Sequence, residues 1–306
     1  MSQFKVFVCG VTGNQGGAAA DALLSRGATV HTLSRDLSTA KSQAAATKGI
    51  KLFQGGYDNP ESLAAALDHC DAAFVIVSPS FTDHKAELKQ GSAIIAAAKA
   101  AGIRHIVYTS GLGCNEPEKL YHWDSNSYMG NMVANKQANE HQVRSSGFPY
   151  WTILRTGHLD SNYLSPQSPQ FGDLYETGEW SNMLTKDTKM PVIDPATIGA
   201  FAAAAFYNPD RFHQQELPMA EELITLDEIM AKLSHLTGRQ LRVNYYTDEE
   251  VETLLKVNTF FSAQVTMRNV SIFANIEQLK SFNVPLSSFD AYLEKNQDTV
   301  KEAFKL

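Results

Sequence analysis

The chain is expected to adopt an α/β fold, a parallel sheet flanked by helices and followed by a smaller C-terminal α/β domain. Three observations carry that expectation. Strand-length apolar runs alternate with helical stretches through the first half, a glycine-rich turn joins the first run to the first helix, and the rhythm changes beyond Arg155. The first run, FKVFVCG, passes into GVTGNQGG and then into AAADALLSRG, an Ala/Leu-rich helix stopped by Gly27. ATVHTLSR, IKLFQGG and AAFVIVS supply the second to fourth strands. HKAELKQGSAIIAAAKAAG reads as a long helix with Gly102 at its end, HIVYTSG as the fifth strand, and YWTILR as the sixth after a helix from Ser127 to Ser146. Helices between strands imply right-handed crossovers and a parallel sheet.

After Arg155 come the loop SPQSPQFGD and shorter mixed elements. Thr225 with Glu228, and Thr247 with Glu250, form capping boxes that open two helices, the first ending on Gly238. The tail from Val251 reads as helices and loops, with Phe260, Phe261, Met267 and Phe273 as core or pocket wall. Two domains are expected, residues 1–158 and 159–306, with elements near 190–220 returning to the first.

Composition narrows the function. With 306 residues and 43% hydrophobic content the chain can bury a substantial core. Twenty-six Lys+Arg against 33 Asp+Glu leave a net charge of -7, which argues against holding nucleic acid by its phosphates. Cys9, Cys70 and Cys114 are far apart and lack a CxxC spacing, as expected of reduced thiols in a cytoplasmic protein. No apolar run approaches the ~18 residues of a membrane span, and FKVFVCG is too short for a signal-peptide core. Nine histidines show no HxxxH or HExxH spacing, so no metal is expected.

Gly10, Gly13 and Gly16 stand between a strand and a helix, the context of a Rossmann-type dinucleotide turn. Gly10 permits the turn, Gly13 lets a pyrophosphate approach, and Gly16 lets helix and strand pack closely. Val11, Thr12, Asn14 and Gln15 complete the loop, whose amides and helix dipole favour phosphate. An NAD-type site would place a carboxylate at the end of the second strand. Here Ser34 and Arg35 stand there, suited to a 2′-phosphate, and Asp36 lies late enough to cap the next turn. The expected cofactor is NADP(H).

These features resemble the NmrA-like proteins, an atypical branch of the short-chain dehydrogenase/reductase superfamily. The resemblance is carried by GVTGNQGG, Arg35, ELKQG, VYTSGLG, Lys136 within ANKQANEHQVRSSGFPYWTILR, and VIDPATIGAFAAAAF. It implies that Gly10 through Gly16 contact the pyrophosphate and Arg35 the 2′-phosphate. It also implies Gly56 and Tyr57 near the adenine, and Ser78, Pro79 and Ser80 beside the ribose. Lys89 and Lys136 would approach the nicotinamide half, lined by Leu159 to Asn162, with Asn162 matching a family asparagine. The chain departs from the superfamily's Tyr-x-x-x-Lys pair, because Met132 stands four residues before Lys136. Tyr128, eight residues before, is about 12 Å away along a helix, too far for the usual pairing.

Lys136 has an alternative partner in Glu140 at i+4, but Glu140 with Arg144 has the better order. Ser110 ends the fifth strand, where parallel sheets place functional groups or a turn serine. Lys136 and His158 are the catalytic candidates, and Trp123, Tyr128 and His158 the substrate-facing ones, although a histidine in the place of His158 is more often a hydrogen-bonded structural residue. The leading expectation is an atypical NADPH-dependent oxidoreductase acting on a small apolar or aromatic molecule. The alternatives are an NADP(H)-sensing transcriptional co-regulator with a protein partner, which would allow a nuclear location, and a redox-neutral enzyme that keeps the cofactor as part of its pocket.

Overall fold

The computed structural model describes residues 4–80, 82–257 and 261–306. All six expected strands form: β1 (Lys5–Val8), β2 (Thr29–Ser34), β3 (Lys51–Gln54), β4 (Ala72–Val75), β5 (His105–Gly111) and β6 (Tyr150–Thr156). Between them lie α1 (Asn14–Leu24), α2 (Ala40–Thr47), α3 (Pro60–Leu67), α4 (Ala86–Ala100) and α5 (Tyr128–Ser145). Beyond β6 run β7 (His158–Leu159), α6 (Leu174–Thr177), β8 (Glu179–Asn182), β9 (Met190–Ile193), α7 (Pro195–Tyr207), α8 (Pro209–Phe212) and β10 (Gln215–Met219). The chain closes with β11 (Glu222–Ile224), α9 (Leu226–Thr237), β12 (Arg242–Tyr245), α10 (Asp248–Val257), α11 (Ser262–Val265), α12 (Ile276–Lys280), α13 (Phe289–Lys295) and α14 (Gln297–Phe304).

The main sheet is seven-stranded and parallel, in the order β10-β6-β5-β4-β1-β2-β3. Its middle strands are covered on both faces, so all of β4 and all of β5 up to Ser110 are buried. The order reverses between β1 and β4, opening a crevice at the carboxyl ends of the strands. The seventh strand, β10, was not foreseen as a strand. QELPM contains Pro218, which cannot donate a ladder hydrogen bond and is tolerated because β10 is an edge. The elements returning from the second half are α7, packed on α1, and β10, paired with β6.

A three-stranded sheet, β11-β9-β7, begins directly beyond β6, and β12 pairs with β8. Both expected capping boxes are made: Thr225 with Glu228 opens α9, and Thr247 with Glu250 opens α10. Phe261, Met267 and Phe273 pack against apolar clusters, while Phe260 lies outside the described residues. Among the described residues no helix is long and apolar enough to cross a membrane. Cys9, Cys70 and Cys114 are free and buried.

Candidate functional site

At the crevice the chain leaves β1 through Gly10, whose φ of +63° is left-handed and whose carbonyl accepts the Gly13 N–H at 2.9 Å. A Cβ on Gly16 would lie 2.2 Å from the Cys9 carbonyl oxygen, so only glycine lets α1 pass this close to the strand end. Gly13 differs. Its backbone is extended, and a Cβ there would meet nothing closer than the Gly10 carbonyl at 3.5 Å. The protein itself therefore has room for a side chain at 13, and an external group approaching the turn would not. Gly13 caps α1 without a side-chain bond, and the first turn holds no acid, so the amides and the positive helix end remain available to an anion. Thr12, Gly13 and Asn14 are exposed, and Val11 is buried behind them. These features fit a pyrophosphate.

Two long-range bonds hold the turn. The Gly10 N–H donates to the Tyr57 hydroxyl at 3.0 Å, and Asn14 Nδ2 donates to Ser161 Oγ at 2.8 Å. Burial and the neighbouring Cys9 keep the Tyr57 phenol protonated far above its ordinary range. Tyr57, expected near the adenine, thus has its hydroxyl beneath the turn. Gly56 beside it closely faces Asp58, whose Oδ1 a Cβ would meet at 2.5 Å.

Arg35 stands exposed just past β2, with no hydrogen bond or ion pair among the described residues. Asp36, the carboxylate that would disfavour a 2′-phosphate, is turned away: its Oδ1 accepts the Ser38 N–H at 2.8 Å and the Ser38 hydroxyl at 2.6 Å. Those bonds hold its carboxyl below the usual range. Ser34 Oγ is engaged within the same loop, donating to the Asp36 carbonyl at 3.0 Å and lying 2.8 Å from Ser42 Oγ. Past β4, Ser78 is exposed, Pro79 and Ser80 are half-buried, and Ser80 Oγ accepts the N–H groups of Thr82 and Asp83. Lys89 lies exposed on α4 with Nζ 3.4 Å from Asp83.

Lys136 projects from α5 along the carboxyl end of β5, its Cδ 3.9 Å from where a Gly111 Cβ would be. It does not pair with Glu140. That carboxylate is held by Arg155 (Nε–Oε1 2.9 Å, Nη2–Oε2 2.7 Å) and by Arg144 at i+4 (Nη2–Oε2 2.6 Å), and both arginines also bind Glu216. Lys136 Nζ instead meets Glu87 Oε1 at 2.5 Å, from α4. Met132 is half-buried one turn earlier, and Tyr128 packs edge-on to His84 with ring centroids 5.8 Å apart. Burial, then the Glu87 carboxylate, pushes the Tyr128 phenol up. Trp123 packs into an apolar cluster with Leu112, Leu120 and Val270.

Gly111 and Thr156 are register partners at the ends of β5 and β6, so the β6–β7 segment reaches the same edge as Lys136. His158, on β7, lies with Nε2 3.4 Å from Asn162 Nδ2 and its ring 4.9 Å from that of Tyr163. Its Nδ1 is buried without a hydrogen-bond partner among the described residues. Burial pulls the imidazole down to about 4, so it is neutral near pH 7. With Asn162 donating to Nε2, the proton sits on Nδ1 as an unspent donor. Leu159 packs back onto the sheet's core.

Sequence reasoning left Glu87 without a role and covered Asp160 and Ser161 only as part of the expected Leu159 to Asn162 lining. Glu87 opens the ELKQG segment, yet nothing local marks it as Lys136's partner. Asp160 is buried with neither carboxyl oxygen hydrogen-bonded among the described residues; burial, then Glu221, Asp194 and Glu222, push it up to about 9. Its place within the Leu159 to Asn162 lining was the signal, but nothing local marks it as buried. Ser161, next to it, receives Asn14 across the crevice. Among the described residues no group of three or more His, Cys, Asp or Glu is placed to hold a metal ion.

The profile of the NmrA-like family matches residues 2–302. A (4-alkanoyl-5-oxo-2,5-dihydrofuran-3-yl)methyl phosphate reductase of Streptomyces griseus is 30% identical over 195 residues, spanning 63% of this chain and 61% of that protein. An NAD(P)H azoreductase of Xenophilus azovorans is 28% identical over 249 residues, 81% of this chain and 79% of that protein. The structure of NmrA, described as a negative transcriptional regulator in complex with NADP, superposes with a TM-score of 0.78 at 18% identity, covering 100% of this chain and 99% of that one. At that identity the likeness concerns the fold.

Proposed function

Because the chain belongs to the NmrA-like family, we propose that it is an NADPH-dependent reductase of a small apolar or aromatic organic molecule. The observation that carries this reading is the Gly111–Thr156 register, which sets Lys136 and His158 on one edge of the sheet, across the crevice from an anion-ready glycine turn. The reductase activities named for the Streptomyces and Xenophilus relatives support it.

The cofactor is NADP(H). Gly10 through Gly16 and the first turn of α1 hold the pyrophosphate, and the unpaired Arg35 clamps the 2′-phosphate. When bound, the cofactor supplies the hydride. The chain's own groups orient the substrate and deliver the proton. Lys136 presents an ammonium at the end of β5, standing in for the tyrosine that Met132 replaces. His158 is neutral and keeps its Nδ1 proton, so it favours negative charge developing on the substrate through its N–H dipole and leaves proton delivery to Lys136. Tyr128 and the aromatic segment around Trp123 supply an apolar wall.

Met132 also favours a second reading, an NADP(H)-sensing regulator that needs no proton donor. The test is an assay of the purified chain with NADPH against quinones, azo compounds, imines, enones and aromatic ketones, following cofactor and substrate together, with Lys136→Met beside it. Turnover that is lost in the variant supports the reductase. Consumption of neither cofactor nor substrate by the unmutated chain rejects it.

A further inference from the structure

Glu87 has 1% exposure on a helix whose other inward positions are Gly91, Ile94, Ile95 and Ala98. A carboxylate this deep persists only where something offsets its desolvation. Lys136 does so at Oε1, while Oε2 is buried without a hydrogen bond among the described residues. The two helices that carry the pair are fixed to each other. Asn139 Nδ2 donates to the Glu87 carbonyl at 3.3 Å, and Asn135 Nδ2 donates to the His84 carbonyl at 2.5 Å. A Cβ at Gly91, one turn beyond Glu87, would meet Asn139 at 2.3 Å, so α4 and α5 approach as closely as glycine allows. The lysine stem then runs to Gly111 at the end of β5.

The other titratable groups around the pair are engaged or neutral. Tyr108 of β5, Cys114 after it and Tyr128 of α5 are kept protonated by burial. Glu140 is bound by two arginines, and His84 gives its carbonyl to Asn135 and its ring to Tyr128. Lys136 is the cation that answers Glu87.

We propose that Glu87 is a positioning residue of the cofactor site: its carboxylate holds the Lys136 ammonium at the end of β5, so that Lys136 acts on the nicotinamide half of NADP(H) only as part of this pair. The proposal rests on the preceding reading for the place of Lys136 beside the cofactor. It does not rest on which substrate is reduced, or whether any is.

The test is an NADPH titration of the full chain by calorimetry, as a double-mutant cycle. Lys136→Met should weaken binding by about 10-fold, and Glu87→Gln by a similar factor, as expected for loss of one charge-assisted contact. The double variant should bind no more weakly than Lys136→Met alone, because both changes remove one unit. Glu87→Asp, which keeps the charge, should bind better than Glu87→Gln. Losses that multiply, or unchanged or tighter binding by Glu87→Gln, would overturn the proposal; tighter binding would mean that Glu87 holds the lysine away from the cofactor. If Glu87→Gln fails to fold, Glu87→Asp carries the same test, with a loss expected beside Lys136 and none in the Lys136→Met background. A cycle that closes as expected while no substrate is reduced would support the positioning role and reject only the reductase reading.

Discussion

At the glycine-turn half of the crevice seven consecutive residues, Gly10 to Gly16, form the turn, and one bond each from Tyr57 and Ser161 secures it. At the Lys136 half, Glu87, Lys136, His158 and Asn162 arrive from α4, α5 and the segment beyond β6, meeting only through the sheet register and a helix–helix contact. The first half presents exposed residues, Thr12 to Asn14, to an anion and buries one unpaired side-chain atom, Gln15 Oε1; the second collects more, among them Glu87 Oε2, His158 Nδ1 and both oxygens of Asp160, none hydrogen-bonded among the described residues. Binding can be specified by a local motif, whereas proton chemistry requires groups that tertiary structure desolvates together.

The contrast is tested most severely at Gly13. Gly13→Val should abolish NADPH binding in a titration while leaving the melting temperature within a few degrees, because the extended backbone and the 3.5 Å clearance accept a side chain that the pyrophosphate does not. The matching experiment in the other half is Asp160→Asn. The folded carboxyl binds its proton up to about pH 9, far above an unfolded aspartate. Its stabilising contribution is therefore complete below about pH 4 and lost as the pH rises toward 9. Thermal melts of the unmutated chain should lose stability over that range by on the order of a few kcal/mol relative to the variant, whose profile should be flatter. Parallel profiles would show that Asp160 is ionised in the folded protein.

Two smaller effects sharpen the comparison within the binding half. Arg35→Ala should weaken NADPH binding by about 1.5–3 kcal/mol and leave NADH nearly unchanged, since only the 2′-phosphate meets the guanidinium. Equal affinities for the two cofactors in the unmutated chain would remove Arg35 from the site. Tyr57→Phe deletes the acceptor of the Gly10 N–H, a bond contributing about 1 kcal/mol, and should weaken both cofactors several-fold and equally. An effect on one cofactor alone would place the phenol against the ligand rather than under the turn.

The same division governs what could be read in advance. The six strands, the glycine turn and the caps of α9 and α10 were legible because each is written in neighbouring residues. Asp36 was legible as a turn cap for that reason, and so was the Glu140–Arg144 pair, one helical turn apart. β10 was hidden by Pro218, which is compatible with a strand only at a sheet edge, and edges are set by topology. Glu87 and Asp160 were hidden because a carboxylate in sequence looks solvated. Only the packing of α4 on α5, and of β7 beside β9, takes them out of water.

Passage of hydride from NADPH to a small organic molecule at the Lys136 edge can be followed with NADPH carrying two deuteriums at C4 and an enone or imine substrate, whose reduced carbon does not exchange with water, weighing the product by mass spectrometry. NADPH consumption should match product formed, with one deuterium in the product carbon. Substrate converted without deuterium and without loss of NADPH, or no conversion at all, would contradict hydride transfer.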